Sequence, residues 1–158
     1  MNTPINIKSY LPHRAPMLMV DLILNMDDVM VQTEFKINND NIFVADDSFV
    51  EAGLIENAAQ TCSAIVARDY FVDENNQNRK DVNVIGFISA LKTLKIHALP
   101  NSNTSIITTA RLVSKFVTDD YSLCTMNCTT YQETQLLLEG EINLFIQAKH
   151  TAVQIKTT

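Results

Sequence analysis

The chain has 158 residues, 46 % of them hydrophobic and 19 % charged, which predicts a folded domain with a sizeable core rather than a disordered or fibrous chain. Its formal net charge of −6 argues against nucleic acid as a main partner, because duplex binding needs a basic footprint, and against non-specific attraction to anionic lipid. No apolar run approaches the roughly 20 residues needed to span a bilayer, and MNTPINIKSYLPHRAP carries no basic segment followed by an apolar stretch, so a soluble, cytoplasmic protein with no membrane partner is expected.

In chain order, residues 17–25 and 29–37 are β-prone and are separated by Met26-Asp27-Asp28, the pattern of a hairpin. In the second run Val29, Val31, Thr33, Phe35 and Ile37 alternate with Met30, Gln32, Glu34 and Lys36, the period of a strand with one wet face. From 49 to 72 the period changes. Val50, Leu54, Ile55, Ala58, Ala59, Cys62, Ile65 and Val66 recur at spacings of three and four, which predicts a helix with a wide apolar stripe. Ser48 and Glu51 have the spacing of a capping box, so the helix is expected to start at Ser48 and end near Phe71. The polar run from Asp73 to Lys80 reads as an exposed loop. Four long β-prone segments follow, at 82–97, 104–118, 121–131 and 134–148, joined by tight connections at Pro100-Asn101-Ser102, Asp119-Asp120 and Gln132-Glu133.

A hairpin, one helix and then a meander imply an α+β fold with an antiparallel sheet, because strands come in runs rather than alternating with helices. One long helix wrapped by such a sheet is the hotdog arrangement. On periodicity alone, a cystatin-like or other α+β roll fits almost as well. Residues 1–158 are expected to form a single domain.

Cys62, Cys124 and Cys128 are few, odd in number and lack metal or redox spacing, so buried thiols in a reducing compartment are expected rather than a disulfide framework. Two glycosylation sequons, at Asn103 and Asn127, are discounted in the absence of a secretory signal. With no ligand spacing for a metal and no Gly-rich phosphate loop, neither metal nor cofactor is expected. His97 and His150 fall in no motif.

Leu11-Pro12-His13-Arg14-Ala15-Pro16, an apolar run and then Asp21 resemble the opening motif of the β-hydroxyacyl-acyl-carrier-protein dehydratases, of the hotdog superfamily. Gly53-Leu54-Ile55-Glu56-Asn57-Ala58-Ala59-Gln60 resembles that family's helix, where an apolar pair precedes Glu and Ala-Gln follows. Gly86-Phe87-Ile88-Ser89-Ala90 ahead of Pro100 resembles its later strand and proline turn. The likeness spans about residues 9–148, and its flavour is that of the divergent members associated with aryl-polyene or flexirubin synthesis. It implies dehydration of a 3-hydroxyacyl thioester to a trans-2-enoyl thioester, with His13 as base and Glu56 as acid, facing each other across a dimer. One base and one acid beside the same C–C bond are what this elimination requires. Gln60, four residues after Glu56 and on the same helix face, is a candidate to orient that carboxyl. Gly86 and Phe87 join it as candidate substrate contacts.

The resemblance also marks a departure. Typical members carry Pro-Gly shortly before the Glu, and the glycine's N–H polarises the thioester carbonyl; here Glu51 stands in its place. A capping box would occupy that donor, leaving Ala52 or Gly53 as the candidate donors. Two other readings therefore stand beside dehydration: a hotdog thioesterase that uses a helix carboxylate to activate water, and a non-catalytic acyl-binding or partner subunit. The implied partner is an acyl carrier protein, itself acidic, so a local basic landing site is expected. Arg14, Lys92, Lys95 and the pair Arg79-Lys80 are its candidates. A homodimer or higher homo-oligomer is expected, with a hetero-oligomer with a paralogue as the alternative.

Overall fold

The computed structural model describes residues 5–71 and 83–149. Among these the order is β1 (Ile5–Asn6), a 3-10 turn (Ile7–Ser9), β2 (Leu22–Met26), β3 (Met30–Lys36), β4 (Val44–Ala45), β5 (Ser48–Phe49), α1 (Glu51–Phe71), β6 (Asn83–Ile96), β7 (Ser105–Val117), β8 (Tyr121–Gln132) and β9 (Gln135–Lys149). Seven strands form one antiparallel sheet in the order β1-β2-β3-β7-β8-β9-β6, and β4 with β5 forms a separate ladder. The helix lies across one face of the large sheet, which is the hotdog architecture. The polar run 73–80 and His150 lie outside the described residues.

The strands of the meander sit where the sequence places them, because alternation decides which face is buried. Along β8, Ser122, Cys124, Met126, Cys128 and Thr130 are buried while Leu123, Asn127 and Tyr131 are exposed. A one-residue slip would turn every buried side chain outward, so this register is strongly specified. It aligns Ala110, Cys128 and Gly140 across three strands. From the helix, Leu54, Ala58, Cys62, Ile65 and Val66 enter the same core as Ile106, Met126, Ile142 and Leu144. All three cysteines are buried, and none of them is bridged in a disulfide. The Cys62 thiol is held well above its ordinary range by donating to Cys128 and by its burial, so it stays neutral and inert.

Two expectations at the start of the chain need correction. The first strand of the hairpin, β2, begins at Leu22, not at Met17. Met17 and Met19 before it are held by side chains of the helix, and only at Asp21, which donates to Glu34 O of β3 (2.9 Å), does strand pairing take over. The helix begins at Glu51, and Ser48 is not its cap. Ser48 belongs to β5, pairing with Ala45 and bridging to Asn101. Phe49 donates its N–H to Pro100 O (2.8 Å) and Val50 donates to Phe43 O (2.9 Å). These long-range bonds hold residues 48–50 extended, so the local Ser-x-x-Glu spacing never acts. The Val50 carbonyl accepts the first helical bonds, from Gly53 N (2.9 Å) and Leu54 N (3.2 Å).

Gly53 is demanded by packing at this start. A Cβ there would lie 2.6 Å from the Phe49 ring and 2.7 Å from Phe43 Cβ. The fully buried Phe49, with Phe43 edge-on at 6.4 Å, thus seats the first turn of α1 against the sheet.

Candidate active site

Glu56 is in the second turn of α1, half-buried, and lines a cavity of about 200 Å³ between α1 and β6. Gln60 follows one turn later and is 1 % exposed. Its amide makes three hydrogen bonds. Nε2 donates to Glu56 Oε1 at 2.7 Å and to Met17 O at 2.7 Å, while Oε1 accepts from Met19 N at 2.8 Å. The amide orientation is fixed by this set, since only one assignment gives each donor an acceptor. One side chain therefore aims the carboxyl and pins the incoming segment 17–19 to the helix.

Asn57 completes the clamp. It is fully buried, donates Nδ2 to Met19 O at 2.7 Å and accepts from Thr108 Oγ1 at 2.6 Å. Thr108 in turn lies 2.9 Å from Thr130 Oγ1. Helix, incoming segment and sheet are thus joined by one satisfied polar network.

His13 sits upstream of that segment, in the loop between the 3-10 turn and β2. Its Nε2 lies 4.0 Å from Glu56 Oε1, too far for a hydrogen bond and wide enough for a reacting group or a water between them. Its Nδ1 is buried and, among the described residues, has no hydrogen-bond partner. The resemblance implies a pair facing across a dimer; here both members come from the same chain.

Arg14 shapes the loop that carries His13. Its guanidinium donates to Leu11 O (2.8 Å), His13 O (2.7 Å) and Lys8 O (3.3 Å), and its own carbonyl accepts from Met17 N and Leu18 N. Arg14 is thus engaged with backbone while its side chain stays exposed. Lys92 pairs with Glu141 at 3.0 Å, and neither Lys92 nor Lys95 lines the cavity beside His13. Lys95 instead borders a separate surface depression with Glu139 and Thr129. Arg79 and Lys80 lie outside the described residues.

Gly86 and Phe87 do line the cavity, from β6, and Phe87 stacks on Phe145 at 4.9 Å. Gly53 does not line it. The Gly53 N–H is bonded to Val50 O, whereas among the described residues the Ala52 amide has no acceptor. Ala52 stands four residues before Glu56, on the same side of the helix. Of the two candidate donors, the free one is therefore Ala52.

Four lining residues escaped the sequence reading: Ala59, Ser63, Ile88 and Leu144. The first two follow Glu56 by three and seven residues, so helical spacing alone could have found them. The others depend on strand register, which pairs Ile88 with Leu144. Asn57 was also missed, because an amide inside an apolar helix stripe looks like an ordinary solvated residue until its acceptors are known.

Among the described residues no three His, Cys, Asp or Glu side chains gather as metal ligands, and no helix is long and apolar enough to cross a membrane.

A comparison with solved structures finds the same fold at low sequence identity. The dehydratase heterocomplex ApeI:P from Xenorhabdus doucetiae is similar with a TM-score of 0.73 and 15 % identity, over 93 % of each chain. Cj0977, a sigma28-regulated virulence protein from Campylobacter jejuni, is similar with a TM-score of 0.59 and 14 % identity, over 96 % of this chain and 92 % of that one. A hypothetical thioesterase with coenzyme A from Streptococcus pneumoniae gives 0.55 and 11 %, over 82 % and 87 %. A comparison with curated proteins finds no match. The family described as ApeP-like, ApeP dehydratase, matches residues 5–155. That match takes in the His13 loop, the helix with Glu56 and Gln60 and the whole sheet, so the chain belongs to the ApeP-like dehydratase family.

Proposed function

We propose that this chain dehydrates a 3-hydroxyacyl thioester, carried on an acyl carrier protein, to the trans-2-enoyl thioester. The observation that carries the reading is the approach of His13 Nε2 to Glu56 Oε1, 4.0 Å apart, in the lining of a cavity that Ile88 and Leu144 also line. The elimination needs Glu56 to bring a proton and His13 to receive one. His13 removes the α-proton, the electron pair forms the C=C bond, and Glu56 gives its proton to the departing β-hydroxyl, which leaves as water. The imidazolium then returns its proton to the carboxylate across the short gap, and the site is reset. Gln60, bonded to Glu56 Oε1, holds the carboxyl in place through the cycle. The Ala52 N–H is the donor positioned to polarise the thioester carbonyl, because helix N-terminal amides lack intrahelical acceptors.

The setting we infer is fatty-acid-like or polyene biosynthesis in the cytoplasm, with residues 1–158 acting as one hotdog domain and with no cofactor. The chain works as a homodimer or together with a second hotdog chain; the heterocomplex of the structural relative supports the latter. Carrier-protein docking falls to basic groups near the site mouth, with Arg14 the nearest in sequence to His13.

The test is turnover of a 3-hydroxyacyl carrier-protein thioester, followed in both directions with a crotonyl thioester for the reverse. Wild-type protein is expected to interconvert the two, and His13→Ala and Glu56→Gln to lose about 10²–10⁴-fold in kcat, the usual contribution of a positioned acid or base. Release of free thiol without enoyl product would replace this reading with thioester hydrolysis. Neither activity, alone or with a co-purifying second hotdog chain, would leave an acyl-binding subunit.

A further inference from the structure

The cavity beside Glu56 lies between the helix on one side and β6 on the other. On the helix side its wall runs from Glu56 past Ala59 to Ser63, seven residues and so roughly 10 Å along the axis. The Ser63 hydroxyl hydrogen is tied to Ala59 O at 2.9 Å, so that end offers no free donor. On the sheet side the wall is β6, with Gly86 opposite Ile146 and Ile88 opposite Leu144. A volume of about 200 Å³ beside a wall of that length is room for a short apolar chain.

Gly86 is the open point in this wall. Val84 and Ile88 flank it on the same face of the strand, and both fill their places with branched side chains. Glycine is not needed at 86 for backbone reasons, since Gly140 is the described glycine with positive φ. Packing does not demand it either. A Cβ at Gly86 would meet Ile146 Cγ1 at 3.6 Å and nothing nearer, which is ordinary contact, unlike the 2.6 Å collision at Gly53. Gly86 is itself exposed and lines the cavity, so a side chain there would take space from it.

We propose that Gly86 determines the acyl length this site accepts, admitting a straight chain of roughly six to eight carbons beyond the reacting bond, the reach from Glu56 to Ser63. The inference rests on the dehydratase reading for the identity of the occupant. It differs from that reading in what it stakes on one position.

The experiment takes 3-hydroxyacyl N-acetylcysteamine thioesters from short to long chains and compares wild type, Gly86→Ala and Gly86→Val. The quantity read is the ratio of kcat/KM for a ten-carbon chain to that for a four-carbon chain. Gly86→Val is expected to lower this ratio by roughly tenfold or more, the scale on which apolar pockets discriminate by a methylene or two. Gly86→Ala moves it the same way by less, and because its Cβ makes only ordinary contact it keeps the test open if Gly86→Val fails to fold. Ser63→Leu, intruding from the helix side, is expected to act like Gly86→Val. A ratio unchanged across these variants overturns the proposal. If no thioester is turned over, calorimetric binding of the same series decides. Affinity that depends on length and shifts in Gly86→Val supports the length assignment while the dehydratase reading falls. Binding that ignores length, or no binding, overturns the length assignment as well.

Discussion

Gln60 makes three hydrogen bonds with one side chain, and two of them satisfy backbone groups of Met17 and Met19 that lie beside the core. Replacing it with Ala would leave Met19 N–H and Met17 C=O without their partners, at a cost of about 1–3 kcal/mol for a buried unsatisfied group. Gln60→Ala is therefore expected to lower the denaturant midpoint and also to reduce kcat more than it raises KM, because Glu56 loses its fixed orientation. A loss of stability with unchanged kcat would make Gln60 structural only. At Gly53 the argument is purely steric. A methyl group 2.6 Å from the Phe49 ring forces α1 or Phe49 to shift, so Gly53→Ala should destabilise by about 1–3 kcal/mol, the range for overpacking. Chemical denaturation of the purified variant measures this.

At the scale of elements, what needs explaining is how a helix with polar residues in its buried stripe is held on a sheet. Asn57, Gln60 and Thr61 are all nearly or fully buried, and each has a partner. Thr61 meets Thr33 of β3 at 2.7 Å, and Asn57 meets Thr108 of β7. Such bonds fix where along the sheet the helix rests, a role that interchangeable methyl groups perform poorly. Thr108→Val keeps the shape but removes the donor to Asn57 Oδ1 and the bond to Thr130. It should cost about 1–3 kcal/mol, and thermal or denaturant unfolding provides the check. Thr108→Ser, which keeps the hydroxyl, is expected to retain most of the stability and so identifies the loss as one of hydrogen bonding.

For the whole molecule, the open end of the sheet is decisive. Among the described residues β6 is a terminal strand of fourteen residues, with Ile85, Phe87 and Leu91 exposed. Long, apolar edges of this kind invite strand pairing with another chain, and this one borders the cavity. We expect sedimentation to show a dimer or a complex with a second hotdog chain, and Leu91→Lys to shift it toward monomer. A Leu91→Lys variant that assembles unchanged would place the interface elsewhere.

The candidate site residues were legible through resemblance to the dehydratase motif, and the strands through alternation. Pro12-His13-Arg14 is distinctive in composition, Glu56 and Gln60 share a helix face by spacing, and the meander strands announce themselves by alternation, since burial of one face leaves period two no freedom. The rest needed tertiary structure, for a common reason: long-range bonds outrank local signals. Ser48 has the right neighbour for a helix cap, yet strand pairing and the Phe49–Pro100 bond hold it extended. Met17 to Met19 look like a strand, yet Gln60 and Asn57 take up their backbone groups. Arg14 looks like a bare surface charge, yet it donates to three backbone carbonyls. That His13 meets Glu56 within one chain, and that Gly86 leaves room rather than a turn, depend on which side chains the fold brings face to face, which spacing along the chain does not encode.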